Sequence, residues 1–166
     1  MKKILLAIMA LATLTIAGCR KNEDTNPEND NKEQPAQTNR HMAVGDFIVA
    51  ASTPAEYSER DTIYVEIIDA NKLDIILNQV RFSSHMPIKT TLVLPNLNYR
   101  YDAQSKDYDI DGNAVTPLFN GEPYTQYIVN NIDADFNLTT KYIEFESNFV
   151  GERGEMTVEF VGQVIY

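Results

Sequence analysis

The chain has 166 residues, enough for one domain of ordinary size once targeting and linker segments are set aside. Its single cysteine excludes a disulfide framework within the monomer and a four-cysteine zinc site. A formal net charge of -10 argues against nucleic acid and anionic membrane surfaces as partners, while nine Tyr and seven Phe among 43% apolar residues are enough to build a core.

The N-terminus comes first. Lys2 and Lys3 precede an apolar run from Ile4 to Leu14, which is shorter than the roughly 20 residues needed to span a bilayer as a helix. That arrangement reads as a secretory signal peptide over residues 1–18. Ile16-Ala17-Gly18-Cys19 then resembles the bacterial lipobox, a small-residue cleavage site ending in the cysteine that receives lipid. The chemistry suits the residue, because a thiolate is the nucleophile that takes a diacylglyceryl group as a stable thioether. Cleavage frees the Cys19 amine for a further acyl chain, and several chains anchor firmly where one binds marginally. From Arg20 to Met42 the chain is dominated by Asn, Gln, Glu, Asp, Lys and Pro, a composition that buries too little surface to offset its ordering entropy. Residues 19–42 are therefore expected to be a lipidated, disordered tether, with a reach of about 70 Å when extended. Arg20-Lys21 followed by Glu23-Asp24 resembles the surface-export signals of Bacteroidetes lipoproteins, so the expected location is the outer membrane, lipid-anchored and facing the cell surface.

From residue 43 to 166 the apolar period is two. Ile63, Val65 and Ile67 alternate with Thr62, Tyr64 and Glu66, and Leu73, Ile75 and Leu77 share a face until Gln79 breaks the alternation before Val80 and Phe82. Turn signals stand at Asp69-Ala70-Asn71-Lys72, Asp111-Gly112, Asn137-Leu138-Thr139-Thr140 and Gly151-Glu152-Arg153-Gly154. Pro95 and Pro117 are expected at strand ends or edges, since proline donates nothing to a ladder. The expected strands are 45–51, 61–68, 72–82, 88–95, 99–109, 113–117, 124–136, 141–149 and 154–165. Short connections favour an all-β, eight- or nine-stranded antiparallel meander closing into a barrel.

The run Leu73 to Leu97, with Phe82-Ser83 leading to Met86-Pro87 and a strand closed by Pro95, resembles the calycin-like lipoproteins of Bacteroidetes. The segments 131–149 and 154–166 fit that family's closing meander. The resemblance implies a lipocalin- or avidin-like barrel over 43–166, in a family without one general activity. Typical lipocalins carry Gly-x-Trp near the first strand; this chain has no Trp and places Gly45-Asp46-Phe47 there.

Candidate chemistry is sparse. Ser83-Ser84-His85 sets hydroxyls beside an imidazole, but catalytic pairs come from distant segments. Glu144 and Glu146 lie about 7 Å apart on one strand face and read as its wet side. Asp107, Asp109, Asp111 and Gly112 match the first half of a calcium loop, yet the twelfth position is Leu118. A hairpin explains them better, with Tyr108 and Ile110 inward and Asp-Gly in the turn. Asp61-Thr62-Ile63 resembles the O-glycosylation acceptor of Bacteroidetes, and also reads as a strand start. No catalytic set, metal site or cofactor is expected.

Phe47, Leu73, Ile75, Leu77, Phe82, Leu92, Leu94, Ile128, Phe136, Phe145 and Phe160 compete for inward places, and their number decides whether the barrel is hollow. The expectation is the open case, with a small apolar or amphipathic ligand contacted by Phe82, Met86, Tyr99, Tyr101 and Tyr108 and with Tyr124 and Tyr127 also available to a ligand mouth. The Phe82–Pro87 corner is expected near the tyrosine-rich 99–108 segment. If the barrel is filled, the expectation becomes a monomeric interaction module that contacts another envelope protein or a glycan through its outer surface.

Replacing Cys19 with Ser should release the protein into soluble fractions or leave its precursor uncleaved. Intact mass of the membrane-extracted protein decides the point, because an unmodified mature Cys19 contradicts the anchor.

Overall fold

The computed structural model describes residues 39–51, 56–152 and 154–165. The signal segment, Cys19 and the tether as far as residue 38 lie outside the described residues. Ten strands follow in order: β1 (Arg40–Ala51), β2 (Glu56–Ile67), β3 (Lys72–Val80), β4 (Thr90–Asp102), β5 (Asp107–Gly112), β6 (Leu118–Phe119), β7 (Glu122–Pro123), β8 (Tyr127–Asn137), β9 (Tyr142–Gly151) and β10 (Gly154–Val164). Eight of them form an antiparallel ring, β3-β2-β1-β10-β9-β8-β5-β4, which β4 closes on β3. The meander is up-and-down, and β6 and β7 are a small hairpin carried on β4.

Strand β1 starts three residues before the boundary expected at 43, because Arg40, His41 and Met42 already pair with Glu66, Val65 and Tyr64 of β2. The Arg40 guanidinium also lies 4.2 Å from the centre of the Tyr64 ring. His41, expected in the tether, turns into the barrel and packs its ring 5.3 Å from that of Phe136.

Closure gives the ring two mouths. Asn39 enters and Ile165 leaves at the proximal mouth, beside the turns at 68–71, 103–106 and 138–141. The segments 81–89 and 113–126 and the β9–β10 turn border the distal mouth. The turns at 103–106 and 138–141 use one device. Asp102 Oδ1 accepts the Gln104 and Ser105 amides, Asn137 Oδ1 accepts those of Thr139 and Thr140, and each turn ends on a lysine with positive φ, Lys106 and Lys141. Asp111-Gly112 is not a turn. Both residues lie within β5, opposite Asp133 and Ile132. Glycine at 112 leaves room for two side chains, since a Cβ there would meet Leu97 Cδ2 at 2.8 Å and Ile132 Cδ1 at 3.2 Å.

Bulges reset the two-residue phase. Gln79, with φ of 54°, interrupts β3 as expected, and its amide donates to Thr91 Oγ1. Pro95 stands inside β4 rather than at its end. It sits at a second bulge, where Asn96 takes φ of 58° and its amide donates to Asp74 Oδ1 at 2.8 Å, so the ladder loses nothing at the proline. Asn131, with φ of 49°, bulges β8 and inverts its phase. Ile132, Ala134 and Phe136 face inward, but on the other side of the bulge Val129 does so instead of the expected Ile128, which is 37% exposed.

The interior is filled. Phe47, Phe136, Phe145, Phe149 and Phe160 are wholly enclosed, together with Leu73, Ile75, Leu77, Leu92 and Leu94. No water-sized void can adjoin a side chain with no exposed surface, so these residues occupy the space that a hollow barrel would offer. Burial of each such side chain contributes about 1.5–3 kcal/mol.

The paired glycines Gly45 and Gly162 let β1 and β10 approach closely. A Cβ on Gly45 would lie 2.1 Å from the Val161 carbonyl oxygen, which is backbone and cannot yield. Gly45→Ala should therefore cost about 3 kcal/mol or more, whereas Gly112→Ala meets only side-chain ends and should cost about 1 kcal/mol. Thermal denaturation of the two variants checks the order; an equal loss contradicts it.

Candidate functional site

The distal mouth is closed by segment 81–89, which is held in two ways. Phe82 packs edge-on against Phe47 with ring centres 5.9 Å apart, and against Phe149 at 5.2 Å. Lys89 reaches back, placing Nζ 2.7 Å from Asp61 Oδ1 and 2.9 Å from Glu59 Oε1. Those carboxylates share the inward face of β2 with Ile63 and Val65, and the Asp61 side chain is only 4% exposed. The Tyr57 hydroxyl donates to Glu59. Hydrogen bonds from Tyr57 and then Lys89 hold the Glu59 carboxyl below its ordinary range, and bonds to Asp61 and Glu59 raise the Lys89 ammonium above its own.

The rest of the segment is surface. Met86 is half-buried and its amide donates to the Ser83 carbonyl at 3.1 Å. Ser84 Oγ and His85 Nδ1 stand 3.4 Å apart in an exposed turn, and no described carboxylate contacts the ring. Asp61-Thr62-Ile63 lies well inside β2, with Asp61 engaged by Lys89.

A second feature of the distal rim is a row of rings. Phe119 and Tyr124 have centres 5.8 Å apart, Tyr124 and Tyr127 5.8 Å, and Tyr127 and Phe149 6.2 Å. The hairpin turn Asn120-Gly121, with both φ positive, sets this row. It joins β6 to β7, the Tyr124 amide then donates to the Pro117 carbonyl at 2.7 Å, and β8 begins at Tyr127. A reciprocal lock secures the same region, since Asn130 Oδ1 accepts the Ala114 amide and Asn113 Oδ1 accepts that of Asn131. Tyr124, Gln126, Tyr127 and Glu152 line a cleft of about 360 Å³. The Asn-Gly pair was the sequence signal for this hairpin; in its place the pattern gave a strand over 113–117, which is a single bridge between Val115 and Val129.

Tyr99, Tyr101 and Tyr108 are at the other end. They stand at the proximal mouth, where Tyr108 meets Tyr99 at 5.4 Å, the exposed Tyr101 at 4.7 Å and Phe136 at 5.3 Å. The Tyr99 hydroxyl donates to the Asp69 carbonyl at 2.9 Å. Burial raises the phenol pKa of Tyr99 and Tyr108, so both stay neutral plugs. The expected closeness of Phe82 and Met86 to these tyrosines is overturned. Strand β4 carries Thr90 to one mouth and Tyr101 to the other, roughly 35 Å along the chain. The five expected ligand contacts therefore form two separate groups.

The outer wall over β5, β8 and β9 is acidic. Asp109 faces Asp135, Asp111 faces Asp133, Asp135 faces Glu144, and Asp133 faces Glu146. Arg100 pairs with Asp109 and lowers its pKa, whereas partial burial and the bond shared with Asp109 raise that of Asp135. Because Asp107, Asp109 and Asp111 alternate along an extended strand, they do not wrap round a cation as a calcium loop does. Glu144 and Glu146 are the wet face of β9, as expected.

The chain matches no protein-family model, and no curated protein or solved structure is significantly similar to it.

The Lys89 latch sets a pH window. The contribution of Glu59 is present above the ordinary carboxylate pKa of about 4.3 and lost as pH falls through its depressed value; that of Lys89 holds below about 10.4 and is lost as pH rises through its raised value. Lys89→Met should lower the melting temperature by several degrees at neutral pH, and adding Asp61→Asn should restore much of the loss. The gap between wild type and Lys89→Met should narrow below about pH 4. Thermal denaturation across pH measures it; a gap independent of pH contradicts the latch.

Proposed function

We propose that this chain is a lipid-anchored, non-catalytic binding module of the bacterial outer membrane, held through Cys19 and binding with its distal rim and outer wall. The filled interior is the observation that carries this reading. A calycin-like barrel that stores an apolar ligand needs an empty centre, and here five enclosed phenylalanines occupy it. An apolar guest would have to displace Phe82 from Phe47 and Phe149 and then the core itself. The barrel is accordingly a rigid scaffold, and its recognition groups stand on the rim.

A thermal-shift and native mass spectrometry screen of the full chain against fatty acids and haem tests the reading. No apolar compound should raise the melting temperature. A rise of several degrees with one-to-one binding overturns the rim assignment and returns the ligand to the interior.

A further inference from the structure

We infer that the cleft between Tyr124, Tyr127, Gln126 and Glu152 is a saccharide-binding site. The inference rests on the reading of the barrel as a rim-binding module and narrows it to one chemistry and one place. The cleft, at about 360 Å³, falls at the small end of the range for ligand pockets, roughly 300–1,000 Å³. Its walls are two tyrosine rings tilted 42° to each other, which offer flat apolar faces with polar tips. The Tyr127 ring lies against Gly151, which has no side chain to fill the space; a Cβ there would come within 2.9 Å of the ring.

The polar groups around these rings are uncommitted in a complementary way. The Tyr124 hydroxyl donates to Gln126 Oε1 at 2.8 Å, which fixes the amide and leaves its NH2 donating to no described residue. The Glu152 carboxylate is exposed in the β9–β10 turn and makes no ion pair or hydrogen bond among the described residues. One wall thus offers donors and another offers acceptors, while the Tyr124 hydroxyl, its proton given to Gln126, still accepts. A sugar matches that set, because its ring carries C–H patches that stack on an aromatic face and a rim of hydroxyls that both donate and accept. An organic ammonium ion would satisfy the rings and Glu152 but leave the Gln126 donors without an acceptor. Glu152 also disfavours acidic sugars, and among the described residues no cation lines the cleft. Neutral oligosaccharides are the ligand class that fits.

The test is an array of neutral hexose and N-acetylhexosamine oligomers, with acidic oligosaccharides alongside, probed with the full-length protein and followed by titration calorimetry. Neutral oligomers should bind, with little dependence on salt. Glu152→Gln, an exposed change in a turn, should weaken them at least tenfold without altering the melting temperature. Tyr124→Ala should weaken them as much while lowering the melting temperature through lost ring packing, and Tyr124→Phe should retain most of the affinity lost with Ala. Sugar binding unchanged by Glu152→Gln and Tyr124→Ala overturns this site while leaving a rim-binding module in place. Binding of choline instead of any sugar, lost at high salt, overturns the saccharide class. A blank array with no choline binding overturns the site altogether, and the apolar screen separately reports on the module.

Discussion

Closing eight strands into a ring leaves an interior that side chains alone must fill, and everything else in this molecule follows from how they do so. One row shows the solution. Phe47 pairs with Phe160, Phe160 with Phe145, Phe145 with Ala134, and Ala134 with Ile110, so large rings on one side of the barrel are met by smaller side chains on the other. Gly45 and Gly162 extend the same economy to the neighbouring row, where a methyl group would strike backbone. With the centre solid, each mouth needs only an aromatic stopper. Phe82 serves at one end and the stack of Tyr108 on Phe136 at the other.

The architecture was legible because burial on one face imposes a period of two, and that period is written plainly in Ile63-Val65 and Leu73-Ile75-Leu77. What escaped was wherever a bulge changes the phase. Asn131 makes Ile128 look like a core residue when counted from Ala134 and Phe136, and Pro95 looks like a strand end until Asn96 is seen to absorb the irregularity. Turn chemistry misled in a similar way. Asp111-Gly112 has the composition of a tight turn but serves packing, while Asp102 and Lys106 make the real turn with the same side-chain caps as Asn137 and Lys141. The candidate cleft was only half visible. Tyr124 and Tyr127 stood out as aromatic, but their meeting with Glu152 depends on a contact between the start of β8 and the end of β9, which local pattern does not reveal.

Charge is distributed with a cost. Like charges directly opposite each other across β5, β8 and β9 are destabilising, and Arg100 relieves only one of the pairs. At the distal mouth the opposite choice is made: Glu59 and Asp61, on an inward face, are matched by Lys89. The carboxylates on the inner face thus share one cation, whereas most of those on the β5–β8–β9 wall face one another and water.

An even number of strands in an up-and-down ring returns the chain to the end from which it started. Asn39 and Ile165 both sit at the tyrosine-stoppered mouth, and the Ile165 amide donates to the Met42 carbonyl at 2.8 Å. A tilted strand of β10's 11 residues gives the wall a height of ~25–30 Å. Whatever holds the chain by its N-terminal side therefore pulls on one rim, and the other stands a full barrel's height further out. The two mouths are thus inequivalent, with Arg40 at the one that carries both ends of the barrel and Tyr124 and Glu152 at the other.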